Sequence, residues 1–238
     1  MPQHWGFWGT LAWGAVVAVS FVALQVVTLL TLAPLADFGS EGAVTRLAED
    51  GTLFAAATFV TTAVCCPLIL GIIKLKKDSR ICEYLALQAV AQASALRWFG
   101  ALAIVLVASD VLTLSLGRPI VPDSMSALYA SASPEWMFWI ALVIAAPLFE
   151  ELFFRGFLFR GLQSSFVGST GTIVVTSLVW ASIHLQYDAY GIATIFVLGL
   201  LLGLARARTG SLLLPLGMHS VANLVAGIET ALAAPGVA

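Results

Sequence analysis

Charge is the scarcest commodity in this sequence: Asp, Glu, Lys and Arg make up 10% of its 238 residues, against roughly 25% in a typical soluble domain. With 60% hydrophobic residues and a mean hydropathy of +0.99, the chain reads as a polytopic membrane protein. No basic stripe is present, which argues against a nucleic-acid partner. Cysteine is nearly absent too. Cys65 and Cys66 are adjacent inside an apolar run and Cys82 lies in a basic segment, so they form no disulfide framework and are expected to be small buried hydrophobes. The N-terminus has no Lys or Arg ahead of its apolar run, which extends from about Phe7 to Leu35, well beyond a signal-peptide core of roughly 7 to 15 residues. A retained transmembrane helix is expected there.

What is present is a series of apolar runs on the scale of about 20 residues that a membrane helix needs. They predict spans near 7–34, 53–73, 98–116, 136–159, 171–187, 190–205 and 212–232. The Ala-rich stretch 80–97 is mixed in polarity and is left between a helix on the membrane surface, a cytosolic helix, a cavity lid and an eighth partial span. The expected fold class is all-α, a polytopic transmembrane bundle of about seven to eight helices. Neither an internal repeat nor a long linker is visible. Lys74, Lys76, Lys77, Arg80, Arg97, Arg155, Arg160, Arg206 and Arg208 fall on one side under this scheme, with only Arg46 and Arg118 opposite. Short-loop cations favour the cytoplasm, so the N-terminus is expected inside. Asp37, Glu41, Glu49, Asp50, Asp123 and Glu135 fall in the outer loops.

An ionisable side chain at the centre of a membrane helix costs about 2.5 kcal/mol or more, so it must be paired, solvated or functional. The costly residues cluster late in the chain: Glu150, Glu151 and Arg155, then His184, then His219 with Asn223. Glu151 and Arg155 are four apart and meet on one helix face as an acid followed by a base, a pair that serves structure as readily as chemistry. Glu150 is turned about 100° away and lacks that partner. It must find water, a histidine or a metal, which is the situation of a catalytic base. His219 and Asn223 share a face and offer donors for an oxyanion. Taken singly, His184 reads as an interfacial group and Asn223 as a helix-to-helix bond. Asp110, beside Ser109, is expected to be solvated near the outer end of its span. Counting about 1.5 Å per residue, Glu150 and His219 agree on an inner to middle depth, whereas His184 computes nearer the outer surface.

The three patterns, Glu150-Glu151-x-x-x-Arg155, Trp180-Ala-Ser-Ile-His184 and His219-x-x-x-Asn223, together resemble the motifs of the CPBP intramembrane proteases. That family includes CAAX prenyl endopeptidases and bacterial Abi proteins linked to bacteriocin self-immunity. The turn Arg206-Ala-Arg208-Thr-Gly-Ser strengthens the likeness, and Trp180 departs from it, since phenylalanine is more usual there. The resemblance implies a catalytic core over 136–232, preceded by variable membrane helices over 1–135 with a basic cytoplasmic segment at 74–97. It implies a glutamate-dependent intramembrane endopeptidase in a bacterial-type plasma membrane, surrounded by lipid and acting on a protein or peptide that is lipidated or carries a C-terminal tail. Glu150, helped by His184, would activate water, His219 and Asn223 would stabilise the oxyanion, and Glu151, Arg155 and Trp180 would support them. No cofactor is favoured. A zinc site of Glu150, His184 and His219 with a water in fourth place is the alternative mechanism, disfavoured by the lack of an H-E-x-x-H helix. A proton-coupled transporter is the alternative from another class, disfavoured because the polar residues crowd one half of the chain. The cavity is expected to open toward the cytoplasm.

Overall fold

The computed structural model describes residues 4–33 and 42–234, so Asp37 and Glu41 of the expected outer loop lie outside the described residues. Ten helices occur there: α1 (Phe7–Leu32), α2 (Ala43–Ala48), α3 (Gly51–Leu75), α4 (Ile81–Leu85), α5 (Gln92–Ser115), α6 (Asp123–Ser131), α7 (Glu135–Gln163), α8 (Gly168–Ser182), α9 (Ala189–Thr209) and α10 (Leu213–Ala233). No strand is present among the described residues. Five helices, α1, α3, α5, α7 and α9, are long and apolar enough to cross a membrane.

The two other expected spans differ. Helix α8 has 15 residues, about 22 Å of helix, and falls short of a hydrocarbon core of about 30 Å. Helix α10 is 21 residues long, but its polar positions lower its hydropathy.

Sequence-local signals set the ends that matter. Asp50 caps α3, its Oδ1 accepting from the backbone N–H of Thr52 (2.8 Å) and Leu53 (2.9 Å). Asp188 caps α9 through Gly191 N–H at 2.9 Å. Gly210 ends α9 in the left-handed region (φ 66°), a conformation that suits glycine, and starts the turn into α10.

That turn bears on the stretch 80–97, which is not one continuous helix. It holds α4, an irregular segment and the first residues of α5. The irregular part is bonded to the turn: Leu212 N–H donates to Ala86 O (3.0 Å), Gln88 Nε2 to Gly210 O (2.9 Å) and Ser211 Oγ to Gln88 O. Arg206 is corrected as well. It is not a loop cation but a buried side chain that donates through Nε to the Arg155 carbonyl at 2.9 Å.

One hydrophobic core joins early and late helices. Val17, Ile69 and Leu102 pack with Phe149, Phe157, Trp180, Leu202 and Met218, and the Phe21 and Phe149 rings stack at 4.9 Å. Cys65 belongs to this core and Cys66 is half-buried, as expected of small hydrophobes, but Cys82 on α4 is exposed. A second, smaller cluster of Met125, Leu128, Phe138 and Leu142 holds α6 against α7.

Helix α7 is not regular. Residues Ala141–Ala145 and Leu152–Leu158 form wide π-helical turns on either side of an α-helical stretch, Ala146–Glu151. Pro147 accounts for the first: it has no N–H to give the carbonyl four residues earlier, and its ring crowds that carbonyl.

Candidate active site

Glu150 and Glu151 sit between the two wide turns and have opposite surroundings. Glu151 and Arg155 are both 0% exposed, and Arg155 Nη1 donates to Glu151 Oε1 at 2.9 Å. The same Oε1 lies 3.0 Å from His219 Nδ1, so Glu151 holds a base on its own helix and an imidazole on α10. Arg155 also donates through Nη2 to Gly199 O on α9 (3.2 Å) and lies 4.5 Å over the Trp180 ring. The expected pair is therefore part of a network reaching three helices.

Glu150 keeps 18% of its side chain exposed and lines a cavity of about 700 Å³. It is not without a partner. Trp180 Nε1–H donates to its Oε2 at 2.5 Å, and His219 Nε2 stands 3.9 Å from that oxygen. With Nδ1 bonded to Glu151, His219 presents Nε2 toward Glu150.

The depth conflict over His184 disappears because α8 ends at Ser182. His184 lies beyond it in a turn, its backbone N–H bonded to Ala181 O at 3.1 Å. A helix carried on to 187 would have taken it further out. Its Nδ1 is 2.7 Å from Trp180 O, an acceptor, so Nδ1 carries the hydrogen and Nε2 is the acceptor of the neutral tautomer. His184 also stands edge-on to Trp180, with ring centres 5.2 Å apart, and faces Tyr187 at 6.4 Å.

Asn223 lines the same cavity and donates through Nδ2 to Leu142 O at 2.8 Å. It is thus a helix-to-helix bond, and the amide has a second N–H to offer. Glu150, His184, His219 and Asn223 therefore all border one space, with Trp180 between the first three.

Among the described residues no three His, Cys, Asp or Glu side chains converge as a metal requires.

The cavity opens where the α5–α6 and α8–α9 loops meet, at Arg118, Pro119, Gln186 and Asp188. Helix α3 begins beside this mouth, near Glu49, and runs away from it to Lys74. The mouth is thus at the end opposite the basic loops, and the expected opening on the basic side is corrected. Asp110, expected simply to be solvated, lines the cavity too, as does Glu229. Arg118 pairs with Asp188 across the mouth and lies 4.8 Å over the Tyr190 ring, whose hydroxyl bonds Thr113 at 2.7 Å. The Gly191 N–H and then Arg118 hold the Asp188 carboxyl below its usual value.

Sequence reasoning missed Arg206, Thr62 and the donor role of Trp180. Thr62 donates through its hydroxyl to Ala145 O at 3.0 Å, a contact no helical spacing announces. For Trp180 a signal existed, the indole N–H standing where the resembled motif has phenylalanine.

Comparison with known proteins now adds to the geometry. Residues 132–225 match the family model described as type II CAAX prenyl endopeptidase Rce1-like. A protein of Escherichia coli, an uncharacterized 24.3 kDa protein, is 35% identical over 128 residues, covering 52% of this chain and 58% of that relative. The match thus spans a little over half of the curated relative's length. No solved structure matches the chain. The matched segment contains Glu150, Trp180, His184, His219 and Asn223, so the part of the chain that carries the candidate site is the part similar to that family.

Proposed function

We propose that this chain is an intramembrane endopeptidase that cleaves a membrane-associated protein or peptide without a metal. The observation that carries this reading is the asymmetry of the two glutamates: Glu151 is buried and committed to Arg155 and His219, while Glu150 borders the cavity with Oε1 uncommitted among the described residues. Water bound between Glu150 Oε1 and His184 Nε2 gives a proton to the carboxylate as its oxygen attacks the peptide carbonyl. The negative charge that develops on the carbonyl oxygen is met by the second Asn223 N–H and by His219 Nε2–H with the ring protonated and balanced by Glu151. Glu150 then returns the proton to the leaving amine, and the C–N bond breaks. The core 136–232 supplies these groups and the helices before it enclose them. We place the chain in a bacterial-type plasma membrane with its N-terminus in the cytoplasm, as the basic loops favour, which turns the mouth outward. A lipid-anchored or C-terminal-tail segment is the substrate class this reading favours.

Detergent-purified protein is assayed on a peptide library beside Glu150→Gln, each with and without chelator. Cleavage that survives chelator and is lost in the variant is expected. Unchanged cleavage by Glu150→Gln refutes the base assignment, and loss with chelator that zinc restores refutes the metal-free mechanism.

A further inference from the structure

Trp180 touches Glu150, His184, His219 and Arg155. Its ring is 2% exposed, lies under the Arg155 guanidinium at 4.5 Å, and stands edge-on to His184 (5.2 Å) and His219 (5.1 Å). Gly199 lets it come this close, because a Cβ there would sit 3.0 Å from Trp180 Cε3. A side chain so enclosed has little rotational freedom, and its one polar atom is fixed in space. That atom, a donor only, is 2.5 Å from Glu150 Oε2. Carboxylates rotate readily about their last bond, and one oxygen tethered to a rigid donor removes that freedom.

We propose that Trp180 is a positioning residue for the reaction: its indole N–H ties down Glu150 Oε2, so that Oε1 alone meets the water, and packing alone does not account for it. The proposal rests on the reading of Glu150 as the base. Two roles of Trp180 separate cleanly. Its carbonyl fixes the His184 tautomer, which any residue at this position would do, whereas its N–H acts on Glu150, which phenylalanine would not do. A hydrogen bond to a charged group in a site of low dielectric corresponds to roughly tenfold to a hundredfold in rate when it is needed in the transition state.

The test compares wild type, Trp180→Phe, and a protein carrying 3-benzothienylalanine at position 180, which keeps the bicyclic volume and replaces the N–H with sulfur. In protein labelled with 15N at the indoles of its seven tryptophans, the cross-peak lost in Trp180→Phe is assigned to Trp180. It is expected downfield of the others and is expected to move upfield in Glu150→Ala. In peptide cleavage, both altered proteins are expected to lose roughly tenfold or more in kcat with KM within about twofold. Wild-type kcat in the benzothienyl protein overturns the proposal, since volume alone then suffices. An indole resonance indifferent to Glu150→Ala overturns it whatever the kinetics, because the bond is then not made. A wild type that cleaves no peptide overturns the enzymatic reading and the positioning role with it, and is distinguished from the first two results by an indole shift that still responds to Glu150.

Discussion

Removing Arg155 or Glu151 singly should cost far more than removing both. Each is fully buried, and each is the other's counter-charge at 2.9 Å. Arg155→Met leaves the Glu151 carboxylate with only His219 Nδ1 at 3.0 Å, and Glu151→Gln leaves the guanidinium with the Gly199 carbonyl and the Trp180 face. Stranding a buried charge in this way costs about 3–5 kcal/mol. Additivity would make the double variant about 6–10 kcal/mol less stable, but it buries no net charge and is expected within about 2 kcal/mol of wild type. The amide introduced at position 151 still offers an oxygen to His219, so the fold should survive while cleavage stays low for want of the Glu151 charge. The assay is reversible unfolding in mixed micelles, titrated with SDS and followed by tryptophan fluorescence and circular dichroism, on wild type, both singles and the double. Singles that each shift stability by less than about 1 kcal/mol, as an exposed pair would, refute the reasoning. So does a double as unstable as the sum.

Three further outcomes follow from single contacts. Asn223→Ala is expected to lower kcat roughly 100-fold or more with KM little changed, the loss seen when an oxyanion donor is removed, and steady-state kinetics on the cleaved peptide checks it. Gly161→Ala puts a Cβ 1.8 Å from Thr10 Oγ1 and 2.7 Å from Thr10 Cβ; it should push α1 off α7 and lower stability by about 1–3 kcal/mol in the same SDS titration. Burial pushes the Tyr84 phenol up to about 12, and its ring stacks on Phe157. The neutral form is thus favoured on folding, so its contribution is fully present below the unfolded value of about 10 and disappears as pH rises through 12. Absorbance titration of the four tyrosines at alkaline pH, wild type beside Tyr84→Phe, should show one late-ionising phenol fewer in the variant.

The charged and polar outliers were legible because hydrocarbon makes them expensive. Glu150, His219 and Asn223 stand out against their apolar neighbours whatever the exact helix bounds, and four-residue spacing correctly joined Glu151 to Arg155. Helix ends were less legible. Nothing apolar stops at Ser182, yet α8 does, because the turn 183–188 is held by His184 Nδ1 on Trp180 O and by the Asp188 cap of α9. The basic side misled twice. Arg206 carries a formal charge that suggests a loop, but its Nε is used on a backbone carbonyl, and the docking of 86–91 on the Gly210 turn depends on contacts more than a hundred residues apart in sequence. Composition marks where a charge is costly and leaves open which distant atom compensates it.

The irregularity of α7 ties these strands together. A π-helical turn leaves a backbone carbonyl without its usual partner, and such turns concentrate at functional sites. In the first wide turn Leu142 O accepts from Asn223 on α10 and Ala145 O from Thr62 on α3; in the second, Arg155 O accepts from Arg206 on α9. Three helices thus grip the carbonyls that flank Glu150 and Glu151, and the six residues between the turns are held from both ends. For Asn223 the structural and catalytic readings are therefore not rivals. One amide N–H secures the wide turn that helps set Glu150, and because that bond fixes the amide plane, it also fixes where the second N–H can meet an oxyanion.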